Sequence, residues 1–242
     1  MVGIFLTTFN LWEQTQRCLE SFRRCTEGRC RLLILDNCSD DGTPQRLREM
    51  GHEVWISPER VSLPRAMNLG TAAFMDDPEV EYIGWIENDM ILLPRWLDNL
   101  VAVLREHPEI GKLGATHLTG DVPGDGEVLA RIERERNWLR LGNAIPWLMP
   151  KWAVAEVGPH DEGFVHGGAY EDWDYNNRLL ERGIPVMVTR RSLVWHGCNA
   201  TTRGALQPVG AEEQNRAYYS RKWGHLHWGW CHPGAALERR LW

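Results

Sequence analysis

Residues 85–97 read WIENDMILLPRWL, an apolar run interrupted by Glu87, Asn88 and Asp89. The residues before the interruption have the character of a buried strand. Two acids one residue apart at a strand end suit a hard divalent cation, because carboxylate and phosphate oxygens together complete the shell of Mg2+ or Mn2+. A cation held there neutralises a diphosphate and stabilises it as a leaving group. The plainer alternative is a polar turn capping the next helix. A second acidic group, Glu171, Asp172 and Asp174, lies in AYEDWDYNNRLLERG at the expected start of a helix. Acids there complement the helix dipole. An ionised carboxylate there can also take the proton of an attacking hydroxyl, and two adjacent acids can divide that work, one orienting the hydroxyl. His196 closes LVWHG. It is either a structural ring beside Trp195 or a neutral imidazole offered to a metal. No GxxxxGK[ST] cradle is present and no GxGxxG follows the first strand, so a bound phosphorylated nucleotide must be held through metal.

These residues need elements to position them. VGIFLTT (2–8), RLLILD (31–36), EVWIS (53–57) and YIGWI (82–86) read as strands. Helical spacing runs from Trp12 through Thr15, Leu19 and Phe22. Thr43 and Pro44 mark a helix over about 44–50, and Ser62 caps one over about 63–75. Pro94 opens another, with Trp96, Leu97, Leu100 and Leu104 inward. Four alternations of strand and helix predict a parallel sheet covered on both faces, with ligands beyond the carboxyl ends of its strands. Thr7–Asn10, Asp36–Asp41 and Glu87–Asp89 all fall on that edge.

The second half is less regular. Residues 119–127 (TGDVPGDGE) read as a loop, 144–149 as a strand, and Pro150 to Val157 as a short helix. GPHDEGFVHGGAY is a long polar loop, followed by a helix from Glu171 to Arg182 that Gly183 stops. PVMVT and SLVW read as two short strands, the second ending at His196. Residues 198–211 read as mobile and 211–222 as a helix. Without a linker, the chain reads as one domain, 1–242, of two lobes (1–105 and 106–198) with a C-terminal segment (199–242).

Hydrophobic residues make up 43% and charged residues 25% of the 242, an ordinary globular balance. The net charge of -6 excludes a strongly basic nucleic-acid footprint. With neither a signal-like start nor an apolar stretch of about 18 residues, a cytoplasmic protein is expected, at most peripheral to a membrane. Six cysteines without CxxC spacing read as free thiols. HLHWGWCH gathers His225, His227, Cys231 and His232 but fits no closed zinc template well. Thirteen tryptophans read chiefly as core. Trp138, Trp147, Trp152, Trp173 and Trp195 also offer platforms for a ring-shaped ligand such as a base or a sugar.

In chain order, TTFN, LLILDNCSDDGT, LPRAMNLG, IENDMILLPRWL, VGPHDEGFVHGGAYEDWDYNNRLLERG, VWHG and RAYYSRKWG resemble segments of inverting family 2 glycosyltransferases of the GT-A fold. The match spans nearly the whole chain, and LLILDNCSDDGT is its most specific part. The resemblance implies an α/β fold with a Rossmann-like, mostly parallel central sheet flanked by helices, and a smaller acceptor-side lobe. It implies a donor nucleotide held by Thr7, Thr8, Asn10, Asp36, Arg65 and Asn88, with Thr7 and Asp36 at the base. Asp89 becomes the direct metal ligand and His196 completes the shell. Glu87 replaces the usual first Asp of the motif, toward the ribose or a metal-bound water. Asp172 becomes the catalytic base, with Glu171 beside it. Arg65 lies two residues before Met67, where relatives often carry Arg. The implied reaction is Mn2+- or Mg2+-dependent transfer from a UDP-, GDP- or dTDP-sugar to a hydroxyl of a glycan or other acceptor. Loops 117–127 and 160–170 would select the sugar. The last 40 residues would form a lid or a homodimer contact, with about 198–210 ordering on donor binding. The alternatives are a nucleotidyltransferase, opposed by TTFN and EDWDY, and a non-catalytic nucleotide-sugar-binding module, opposed by Asp89, Asp172 and His196.

Overall fold

The computed structural model describes residues 1–26, 30–165, 170–196 and 210–224. Its first half contains β1 (Val2–Thr8), α1 (Trp12–Cys25), β2 (Cys30–Asp36), α2 (Thr43–Glu49), β3 (Val54–Ile56), α3 (Leu63–Met75), β4 (Tyr82–Glu87), β5 (Met90–Leu92) and α4 (Trp96–Glu106). The second half adds β6 (Lys112–Leu118), α5 (Asp125–Glu135), β7 (Leu139–Leu141), β8 (Trp147–Pro150), α6 (Lys151–Val157), α7 (Glu171–Glu181), β9 (Val186–His196) and α8 (Ala211–Trp223).

The strands form one sheet in the order β3-β2-β1-β4-β8-β6-β9-β5, with β7 also paired to β9. β1 to β4 run parallel, β8 reverses, and β6 and β9 restore the first direction. The sheet is therefore mostly parallel, as expected. Alternate residues of each strand feed opposite faces. Ile4 and Leu6 of β1 join Leu19 of α1 and Leu100 of α4 in one core, while Phe5 joins Met67 of α3, Trp147 and Leu179 of α7 in the other. Helices thus cover both faces. Ser62 caps α3 as predicted, accepting from the Arg65 N–H at 3.4 Å.

Four details depart from the sequence reading. Met90–Leu92 is a separate strand, antiparallel to β9, with Met90 opposite His196. Residues 119–127 are not all loop, because α5 starts at Asp125. Asp125 and Glu127 favour that helix start, and Val128 and Ile132 pack with Leu193 and Leu93. PVMVT and SLVW belong to one strand, whose register against β6 slips between Ala115 and Thr116. That irregularity accommodates the polar residues separating the two apolar stretches. Finally, α4 begins at Trp96 rather than at Pro94, with Arg95 left-handed at its cap. Its four predicted core residues are nonetheless buried.

Cys18, Cys25, Cys30 and Cys38 are free thiols. The HLHWGWCH cluster, the segment about 198–209, and 166–169 lie outside the described residues. Among the described residues no helix is long and apolar enough to cross a membrane.

β4 ends in Glu87, the first acid of the site, and its seat against β8 depends on Gly84. A Cβ there would lie 2.4 Å from a Leu148 methyl and 3.0 Å from the Trp147 carbonyl oxygen. Gly84→Ala is expected to destabilise the fold by about 1–3 kcal/mol through overpacking, read as a lowered urea midpoint with an unchanged m-value.

Candidate active site

β1, β2, β4, β6 and β9 point their carboxyl ends to one edge of the sheet. Glu87 closes β4, Asp89 precedes β5, and the β5–β9 pairing sets His196 beside them. His196 Nε2 lies 3.2 Å from Asp89 Oδ1 and 3.5 Å from Glu87 Oε2. One ligand atom from each of the three residues lies within 4.8 Å of the others. Their side chains are only 19%, 4% and 8% exposed for Glu87, Asp89 and His196. His196 Nε2 is buried without a well-directed hydrogen bond. Two carboxylates and an imidazole converging in this way form a donor set for a divalent cation. Behind them, Cys18 donates its thiol proton to the Glu87 carbonyl oxygen at 3.4 Å, and burial pushes that thiol up to about 12.

The charges in this corner are unbalanced. Burial, then the Asp89 carboxylate, raises the pKa of Glu87, and Glu171 and Asp172 add to the effect. Burial alone would lower His196, but the Asp89 and Glu87 carboxylates outweigh it and hold the imidazole above its ordinary value. His117, at the end of β6, meets His196 edge-on with ring centres 5.1 Å apart, and burial depresses its own pKa. Sequence reading did not single out His117, because a lone histidine in an apolar strand carries no local signal.

The predicted nucleotide-side residues form the adjoining floor and rim. Asp36 is fully buried and engaged by Ser39, whose N–H donates to Oδ1 at 2.9 Å and whose hydroxyl donates to Oδ2 at 2.6 Å. Asn88 Nδ2 reaches Thr15 Oγ1 at 2.9 Å, Thr8 Oγ1 at 3.2 Å and the Asn10 carbonyl oxygen at 3.3 Å. Thr8 is buried in the same group. These contacts tie the end of β4 to the turn after β1. Nearer the rim, Thr7 Oγ1 accepts from the Trp85 indole at 3.0 Å, and the Asn10 side chain donates to Asp40 at 3.0 Å. Arg65 sits apart from this group, paired with Glu162 at 3.1 Å. Asn68 joins the same carboxylate at 2.9 Å and also fastens His160 through its backbone.

The second acidic group heads α7. Tyr170, at its N-cap, has φ 75, a left-handed conformation disfavoured for a non-glycine residue. Glu171 is buried. Burial raises the pKa of Asp172, opposed first by the charge of Lys112. Asn143 Nδ2 donates to Asp172 Oδ2 at 2.5 Å, and Lys112 Nζ donates to Asn143 Oδ1 at 3.1 Å. Neither Lys112 nor Asn143 was legible as a site residue, since the register of β6 and the course of the 142–146 segment bring them under α7. Asp174 faces away from this group. It accepts from Arg178, Lys222 and the Trp223 indole, anchoring α8 on α7. Of the five tryptophans considered as platforms, Trp147 is core, Trp152 is 46% exposed, and Trp173 packs against Tyr170 and Tyr219.

A mixed α/β sheet with acids gathered at its carboxyl edge defines a GT-A-type domain. Residues 3–164 match the family described as Glycosyl transferase family 2, and the chain belongs to that family. No curated protein matches it. Among solved structures it is similar to GalNAc-T7 with UDP, GalNAc and Mn2+ (TM-score 0.69, 13% identity), covering 92% of this chain and 48% of that one. It is also similar to S. aureus TarS residues 1–349 (TM-score 0.60, 12% identity), covering 92% of this chain and 72% of that one. The chain thus spans about half the length of the GalNAc-T7 chain, and at these identities the likeness concerns the fold.

A cation entering the Glu87–Asp89–His196 triad must displace the protons that Glu87 and His196 hold above their ordinary values. Mn2+ affinity, measured by calorimetry, is therefore expected to rise between about pH 6 and about pH 8, with proton release seen in buffers of different ionisation enthalpy. Asp89→Asn is expected to remove measurable binding. Unchanged affinity in that variant would exclude the triad.

Proposed function

We propose that the chain is a metal-dependent inverting glycosyltransferase acting on a nucleotide-diphosphate sugar. The observation carrying this reading is that two separate acidic groups, Glu87–Asp89 with His196 and Glu171–Asp172, lie close enough for the Glu171 and Asp172 charges to act on Glu87. We read 1–242 as one domain in which donor and acceptor meet at the carboxyl edge of the sheet. The buried His196 Nε2, 3.2 Å from one carboxylate and 3.5 Å from another, fits a divalent cation, with Asp89, His196 and Glu87 holding it. When bound, Mn2+ or Mg2+ supplies positive charge to the diphosphate oxygens and so stabilises the leaving group.

The chain's own residues do the rest. Thr7 and Asn10 line the accessible rim on the nucleotide side, while Thr8, Asp36 and Asn88 hold the loops that present them. Asp172 takes the proton of an acceptor hydroxyl, whose oxygen attacks the anomeric carbon on the side opposite the departing nucleotide diphosphate. The new glycosidic bond forms as the bond to the phosphate oxygen breaks, and configuration at that carbon inverts. Glu171 orients the hydroxyl. Arg65, paired with Glu162, stands at the edge of the donor side. The neighbour solved with UDP, GalNAc and Mn2+ supports a UDP-sugar as the first donor to test.

Two measurements test the reading. Calorimetric titration with UDP, GDP and dTDP, each with and without Mn2+, is expected to show metal-dependent binding of one nucleotide. No binding by the folded protein to any of the three would defeat the donor assignment. Asp172→Asn is expected to lower transfer by about 10²- to 10⁴-fold, the usual range for a lost general base, with nucleotide affinity unchanged. Retained turnover would remove Asp172 from that role.

A further inference from the structure

Lys112 is the least expected residue near the site. It opens β6, is 1% exposed, and lies over the Trp147 and Tyr175 rings at 5.3 and 5.9 Å. A buried ammonium is unfavourable unless hydrogen bonds and an opposite charge compensate it. Nζ does not rest on a carboxylate. It donates to two amide oxygens, Asn176 Oδ1 at 2.9 Å and Asn143 Oδ1 at 3.1 Å. The same Asn143 amide then turns its nitrogen to Asp172 Oδ2 at 2.5 Å. An amide has one accepting and one donating end, so a cation on one side and a carboxylate on the other admit only one orientation of Asn143. Gly114, two residues along β6, clears the way. A Cβ there would lie 2.6 Å from the Ala144 carbonyl oxygen, so the strand lets the 142–146 segment lie directly on it.

We propose that Lys112, acting through Asn143, is a positioning residue for the Asp172 carboxylate, a role that rests on the reading of Asp172 as the base. The relay fixes one carboxylate oxygen and supplies a positive charge beneath it that favours the ionised form. Among the described residues, the charged and titratable groups facing Asp172 are Lys112 from β6, Glu171 on its own helix, Glu87 from β4 and Tyr219 from α8. Lys112 is the one cation in that set, so its removal leaves acids and a phenol as the carboxylate's described neighbours. Removing one partner of a buried charged set leaves the others uncompensated and costs stability, so Lys112→Met is read beside its own urea midpoint, and Asn143→Ala, which keeps the buried cation, separates positioning from folding.

The test uses the full chain carrying 13C-carboxyl aspartate, with the Asp172 signal assigned by its loss in Asp172→Asn. Lys112→Met and Asn143→Ala are each expected to move that signal and raise its titration midpoint by about one pH unit or more. A wild-type position and midpoint in both variants would overturn the relay. Asn143 is half-buried in a loop, so its truncation keeps the test open should Lys112→Met fail to fold. Turnover is followed as UDP release from UDP-glucose, UDP-galactose and their N-acetyl forms with Mn2+. Each single variant is expected to lose about tenfold or more in kcat with KM unchanged, and the double variant no more than the worse single one. Additive losses, or losses confined to KM, would refute the relay. If Asp172→Asn turns over normally, the base reading fails while the carboxylate signal still decides the relay. If Asp172→Asn is inactive and both variants match wild type, the relay alone fails.

Discussion

The antiparallel pairing of β5 with β9 is the contact on which the acidic corner depends. β5 has only three residues, Met90 to Leu92, yet its register sets Met90 opposite His196 and so brings Asp89 to that imidazole. Because side chains alternate along a strand, a one-residue slip would turn His196 away from the acids. The pairing is held from both sides. Ser21 of α1 donates from its hydroxyl to the Cys18 carbonyl oxygen and accepts from the Leu92 N–H at 2.9 Å, while Ser192 of β9 donates to the Trp96 carbonyl oxygen at 2.7 Å. Ser21 thus satisfies a backbone N–H of the short strand, and Ser192 fastens β9 to the start of α4.

Electrostatics then gives the corner its character. Glu87, Asp89, Glu171 and Asp172 are gathered where little water reaches them, an arrangement that repels itself unless cations answer it. The chain supplies two partial answers: His196 between the first pair, and Lys112 beneath the second. A divalent cation and a substrate hydroxyl would complete the balance. That is why the two acidic groups make better sense together than either does as a capped turn or a dipole-matched helix start.

The loops carrying these residues are held in backbone conformations they would not choose alone. Asn10, Leu11, Cys38 and Tyr170 all have positive φ, and all lie in the turns after β1 and β2 or at the head of α7. Such conformations persist only where surrounding contacts over-determine them. Here the contacts are visible: Ser39 on Asp36, Asn88 on Thr8, Thr15 and Asn10, and α8 on α7 through Asp174, Lys222 and Trp223. Asn215 adds a two-way bond to the backbone of Val165, tying α8 to the loop before α7.

Much of this was legible in the residues alone, for a physical reason. Local signals such as apolar runs, the Ser62 cap, Pro44 in a first helical turn and polar strand ends depend on near neighbours, so the first four strands and their helices could be read in order, although Gly42 rather than Thr43 takes the N-cap of α2. Position at a strand's carboxyl end then pointed to Glu87, Asp89 and His196, and position in a helix's first turn to Glu171 and Asp172. What only the tertiary structure decided are the contacts between distant segments. The antiparallel strands β5, β7 and β8, the slip in β9, the burial of Asp36 and Asn88, and the Lys112–Asn143–Asp172 chain all join residues separated by tens of positions. No periodicity encodes such partners, because they depend on strand order and register, which form only when the whole core is packed.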